Sequence, residues 1–149
     1  MVRRAALAGV AGALALGVSA CGVSQAYRDA NGQVTATATV GLSSLRVGDC
    51  VKDVSTLTNP ITTMQVLPCS SSHEGEVVGA ESNVANVSSD IVNFCTDQFA
   101  LYVGIDVNSS SLTVNYFSSA DASASTTDVE CIAFMPGQMV TKSYKDSGQ

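Results

Sequence analysis

The chain has no tryptophan, a single histidine (His73), and seven lysines and arginines against thirteen aspartates and glutamates. Each scarcity removes a class of function. One imidazole cannot build a His-rich metal site, and a Cys-based site needs ligands in pairs roughly two to four residues apart. Cys50, Cys69, Cys95 and Cys131 are spaced far more widely, so no metal or other cofactor is expected. Two of the cations, Arg3 and Arg4, stand at the N-terminus. Beyond them only Arg28, Arg46, Lys52, Lys142 and Lys145 remain, which leaves a net charge of about −8 there. Such a surface repels phosphate backbones and anionic headgroups, so nucleic acid is not an expected partner. The chain also lacks a Gly-x-Ser-x-Gly nucleophile elbow and a glycine-rich phosphate loop, and nothing orders a nucleophile near His73.

What is present begins with an export pattern. Arg3 and Arg4 precede the uncharged stretch Ala5 to Val18. As a helix it would measure about 21 Å, short of the roughly 30 Å of a bilayer core. The length and flanks are those of a signal peptide. Val18-Ser19-Ala20-Cys21 then resembles the lipobox of bacterial lipoproteins: an apolar residue, two small ones, and the Cys whose thiol takes diacylglycerol. The expected organisation is a signal peptide over 1–20, lipidated Cys21 with a flexible tether over 21–44, and one domain over 45–149. Through Cys21 the lipid bilayer is the first expected partner, at the extracytoplasmic face of the cell membrane.

Within the tether, Val34 to Val40 alternates with period two, which fits a half-buried strand as well as a linker. From Leu45 onward, turn residues separate short β-type runs: Cys50-Val51, Ile61 to Leu67 after Asn59-Pro60, Val77-Val78 after Gly75, Leu112 to Phe117, and Val129 to Met135. Met139 to Tyr144, after Pro136-Gly137, is expected as a last edge strand. Ser118 to Thr127 is expected as an exposed loop. One segment has helical spacing. Ser88 or Ser89 can cap it, Asp90 suits its first turn, and Ile91, Cys95, Phe99 and Tyr102 form one apolar stripe. Gly104 is placed to end it. The fold class is therefore α+β, with one amphipathic helix on a small, mainly antiparallel sheet.

With Cys21 assigned to lipid, four cysteines remain beyond an export signal, the pattern of two disulfides. Three pairings exist. The preferred one is Cys50–Cys69, flanking neighbouring strands, with Cys95–Cys131, pinning the helix stripe to the strongest core strand.

Leu45-Arg46-Val47-Gly48-Asp49-Cys50-Val51, then Val66-Leu67-Pro68-Cys69, then His73-Glu74-Gly75-Glu76-Val77, and later Cys95, Tyr102-Val103-Gly104 and Cys131 resemble the actinobacterial septum formation domain. The resemblance spans about Leu45 to Met135. It implies a secreted, lipidated or membrane-anchored protein with a role near the division septum, and no known chemistry. One departure stands out. Relatives commonly carry a Pro, a Trp and a Gly-Asp-Arg-like turn before the last Cys, and Ser118 to Asp128 has none of them.

His73, Asp49 and Glu76 are the candidate contact residues. His73 is expected to anchor the Ser-rich turn after Cys69, and Asp49 to accept backbone N–H groups in the Gly-Asp turn. No catalytic residue is expected. The functional expectation is a tethered, non-catalytic interaction module whose partner is an envelope protein or wall component. The alternatives are an envelope hydrolase working through His73 and a structural or assembly-factor lipoprotein.

Overall fold

The computed structural model describes residues 25–119 and 123–149. The signal peptide and Cys21 lie outside the described residues. Six strands form one antiparallel sheet: β1 (Ala38–Gly41), β2 (Cys50–Val51), β3 (Thr63–Leu67), β4 (Gly75–Ala85), β5 (Thr113–Ser118) and β6 (Thr126–Phe134), with one helix, α1 (Ser88–Val103), between β4 and β5. The strand order is β1-β3-β2-β4-β6-β5. The domain is α+β with two disulfides, Cys50–Cys69 and Cys95–Cys131. Among the described residues, no helix is long and apolar enough to cross a membrane.

Alternation along β6 builds two cores. Val129, Cys131 and Ala133 face α1 and pack with Val78, Ile91, Cys95, Phe99 and Val103. Ile132 and Phe134 face the other way, into a cluster of Val40, Leu42, Val51, Val54, Met64, Val66 and Phe117. The first disulfide closes the β2–β3 pair, in which Cys50 lies opposite Leu67. The second fastens α1 to β6. With 19 and 36 residues of separation, each limits the unfolded chain by about 3–4 kcal/mol. Gly79 lets the helix approach the sheet. A Cβ there would stand 2.8 Å from Cβ and Cγ of Gln98 on α1.

The stripe Ile91, Cys95, Phe99 is buried as expected, and Val103 completes it while Tyr102 is half-buried. Gly104 ends the helix in the left-handed region at φ 87°, its N–H donating to the Ala100 carbonyl. The helix begins differently from expectation. Val87 is the N-cap and no side chain caps it. Ser88 and Ser89 are already helical, and the Ser89 hydroxyl bonds Asp90 instead.

Three further expectations are corrected. The tether over 21–44 is not free in its second half: Arg28 bridges Val34, Val34 is buried, and β1 pairs with β3. The weak Thr/Ala alternation forms a strand because its inward residues, Ala38 and Val40, meet a ready-made apolar face. Met139 to Tyr144 is no strand beyond a single bridge of Val140 to His73, because Tyr144 turns inward, its N–H donating to the Glu76 carboxylate and its hydroxyl to the Glu74 carbonyl. Finally, β4 runs far past Val77-Val78, through the polar Glu81-Ser82-Asn83. Among the described residues this end pairs only with β6, and its exposed side chains carry no apolar signal.

Candidate functional site

His73 follows the turn closed by the Ser71 N–H to Pro68 carbonyl bond. Its backbone exchanges two hydrogen bonds with Val140, at 2.9 and 2.8 Å. Its ring Nδ1 lies 2.8 Å from the Ser71 carbonyl. A carbonyl only accepts, so Nδ1 carries the proton and donates. The ring meets Tyr144 edge-on with centroids 6.4 Å apart. The residue has 0% exposure, and Nε2 is buried without a hydrogen-bond partner.

Three carboxylates around this turn are equally enclosed. Asp49 accepts the Arg46 N–H at 2.9 Å, the role expected of the Gly-Asp turn. It also binds Arg28 through both carboxylate oxygens, at 2.5 and 2.7 Å. That hydrogen bond raises the Arg28 pKa further despite partial burial. Glu76 accepts from the Tyr102 hydroxyl at 2.6 Å, the Ser143 hydroxyl at 2.7 Å and the Tyr144 N–H at 2.5 Å. Burial and the Glu76 charge push the Tyr102 hydroxyl pKa up, so it stays a donor. Glu74 accepts from the N–H groups of Val54, Ser55 and Gly137. Burial pushes its pKa up, but the bonds from Ser55, Val54 and Gly137 outweigh burial and hold it below the usual value. The Cys50 and Cys69 sulfurs lie within 4.8 Å of a Glu76 oxygen, but both are engaged in their disulfide and offer no thiolate.

His73, Asp49 and Glu76 therefore share one region and face inward. Glu74, Arg28, Tyr102, Ser143 and Tyr144 complete the network and were not singled out from the sequence. Their partners are distant: Glu76 binds residues 26 to 68 positions away. Only the two glutamates flanking Gly75 hinted at it.

A mainly apolar open feature lies elsewhere. Between the far end of β4 and the first turns of α1 is a cleft of about 280 Å³. Its floor is Val84, Ala85, Ile91, Phe94 and Val129, and Glu81 and Asp90 stand at its rim. Both rim carboxylates are exposed. Val87 and Val92 nearby are each about half exposed, at 47% and 49%. No Lys or Arg occurs between Lys52 and Lys142, the stretch that supplies the whole cleft.

On the opposite face of β6, Glu130 is buried and its Oε2 has no hydrogen-bond partner. Burial, with a smaller contribution from Asp128, pushes its pKa up to about 8. Burial therefore favours its protonated form.

Compared with known proteins, the chain matches no family model, no curated protein and no solved structure.

Proposed function

We propose that this chain is a lipid-anchored protein of the cell envelope whose folded domain is a non-catalytic binding module. The observation that carries the non-catalytic reading is the complete burial of its one imidazole, beside carboxylates already occupied by structural donors. A hydrolase working through His73 would need that ring open to substrate and within reach of a nucleophile. The cleft supports binding: its lining is mainly apolar, with two exposed carboxylates. The anchor is read from Val18-Ser19-Ala20-Cys21, and the link to septum or wall processes from the resemblance over Leu45 to Met135.

Metabolic labelling with a fatty-acid analogue tests the anchor. The wild-type chain should be labelled and Cys21→Ala should not be, and should accumulate as uncleaved precursor. Equal labelling of both removes the lipoprotein reading.

A further inference from the structure

We infer that the β4–α1 cleft receives an extended, basic segment of a partner protein, which lies along the open edge of β4 and places an apolar side chain in the cleft. This rests on the binding-module reading above and gives it a partner of stated chemistry.

Three observations converge on it. The first is the strand edge. β2 covers β4 only at Gly75 and Glu76, and the Gly48 and Asp49 backbone extends that cover to Val77. Val78 and Gly79 are buried, but from Ala80 to Ala85 β4 is largely exposed and, among the described residues, pairs with a strand on one side only, namely β6. An uncovered edge is a template for an added strand, through main-chain hydrogen bonds with alternate side chains read by neighbouring pockets. A register shift between Glu81 and Val84, with Asn83 at φ 60° and its N–H donating to Asp128, interrupts the regular pairing of this end of β4 with β6.

The second is the cleft beside that edge. Glu81, Val84 and Ala85 belong to both. At about 280 Å³ it is just below the range of pockets for whole small-molecule ligands, roughly 300–1,000 Å³, and suits an apolar side chain.

The third is charge. Glu81 and Asp90 stand at the rim, and from residue 53 to residue 141 the chain supplies no cation to pair with them. The enclosed Asp49, by contrast, has its own arginine. Positive side chains flanking the apolar anchor would be attracted to this rim, and an acidic segment repelled.

The test uses the full chain, solubilised in neutral detergent, and synthetic peptides of about eight residues, a typical strand length. One alternates lysine and valine, one alternates glutamate and valine, and one is the lysine–valine peptide N-methylated at alternate backbone nitrogens. The lysine–valine peptide should bind saturably and shift the amide resonances of Glu81 to Ala85. Glu81→Lys with Asp90→Lys should weaken it by about tenfold or more, and Glu81→Gln with Asp90→Gln by less, with salt acting in the same direction. N-methylation should weaken it comparably, because the added strand loses its donors. Both residues are exposed, and unchanged melting curves confirm that the variants fold. Equal binding of the acidic peptide, indifference to charge reversal or to N-methylation, or no saturable binding each overturns the inference. A photo-crosslinking residue at Val87 separates this failure from that of the module reading. A crosslinked envelope partner that ignores charge reversal overturns the basic-segment inference and leaves the module standing. No peptide binding and no crosslink from any exposed position removes both.

Discussion

Carboxylates at the two ends of β4 have opposite fates. Near its start, Glu74 and Glu76 are buried and each accepts three hydrogen bonds. Near its end, Glu81 is in water at the rim of an apolar cleft, and across the sheet Glu130 is buried with an oxygen unpartnered. The contrast teaches that acids beside a lone histidine need not mark a reactive centre. Where the donors go decides: a carboxylate already filled by backbone N–H and hydroxyl groups holds the fold, and one left open is available to something else.

The comparison breaks most visibly at Glu76. Glu76→Ala leaves the Tyr102 and Ser143 hydroxyls and the Tyr144 N–H without their acceptor, the last of them buried. A loss of about 3–5 kcal/mol is expected, on the order of the domain's reserve. Glu81→Ala should change stability by no more than about 0.5 kcal/mol. Urea denaturation of the two variants measures the difference directly, and similar midpoints would erase it.

His73→Ala comes next. It removes the bond to the Ser71 carbonyl and opens a cavity against Tyr144, at a cost of about 1–3 kcal/mol. Rescue of a deletion strain should fall only in step with the melting temperature. Full thermal stability with lost rescue would move His73 to the working surface.

The smallest effect separates two of the buried glutamates, Glu74 and Glu130, by pH. The Glu74 pKa is held below its unfolded value, so its contribution is present above about pH 4.5 and is lost as pH falls through the folded value. Glu130 has the opposite sign. Its folded pKa of about 8 lies above the unfolded 4.5, so the native state binds the extra proton and loses stability as pH rises between those values. Glu130→Gln should flatten the melting curve across pH 5 to 9 and raise stability at the alkaline end by about 1–3 kcal/mol. A wild-type melting temperature that does not decline toward pH 9 contradicts this.

The fold was legible where the signal was local and repeated. Ile91, Cys95 and Phe99 announce one helix face, and four cysteines beyond an export pattern announce two bridges that the strands then bring together. Boundaries were less legible where pairing sets them. Glu81-Ser82-Asn83 is a strand because β6 lies beside it, and Ala38-Thr39-Val40 because β3 does. The enclosed network was half legible. Asp49 in its Gly-Asp turn is a local reading, but Arg28, Tyr102 and Tyr144 reach it or its neighbours only through the closed chain. The cleft left no motif at all. Its apolar floor is assembled from three elements, and its best sequence trace is the long interval without a Lys or Arg.

On the proposed anchor at Cys21, the bidentate clamp of Arg28 on Asp49 bears on the mechanics of attachment. Under a lipid on Cys21, only seven residue steps separate the anchor from this clamp. Even fully drawn out, they span no more than about 25 Å. The proposed anchor would then hold the domain on a short mooring, with the Arg28 side toward the membrane. A pull on that lipid would load the Tyr27–Thr35 bonds and then the Arg28–Asp49 pair. The helix and its cleft, stitched separately to β6 by Cys95–Cys131, lie outside that line of force.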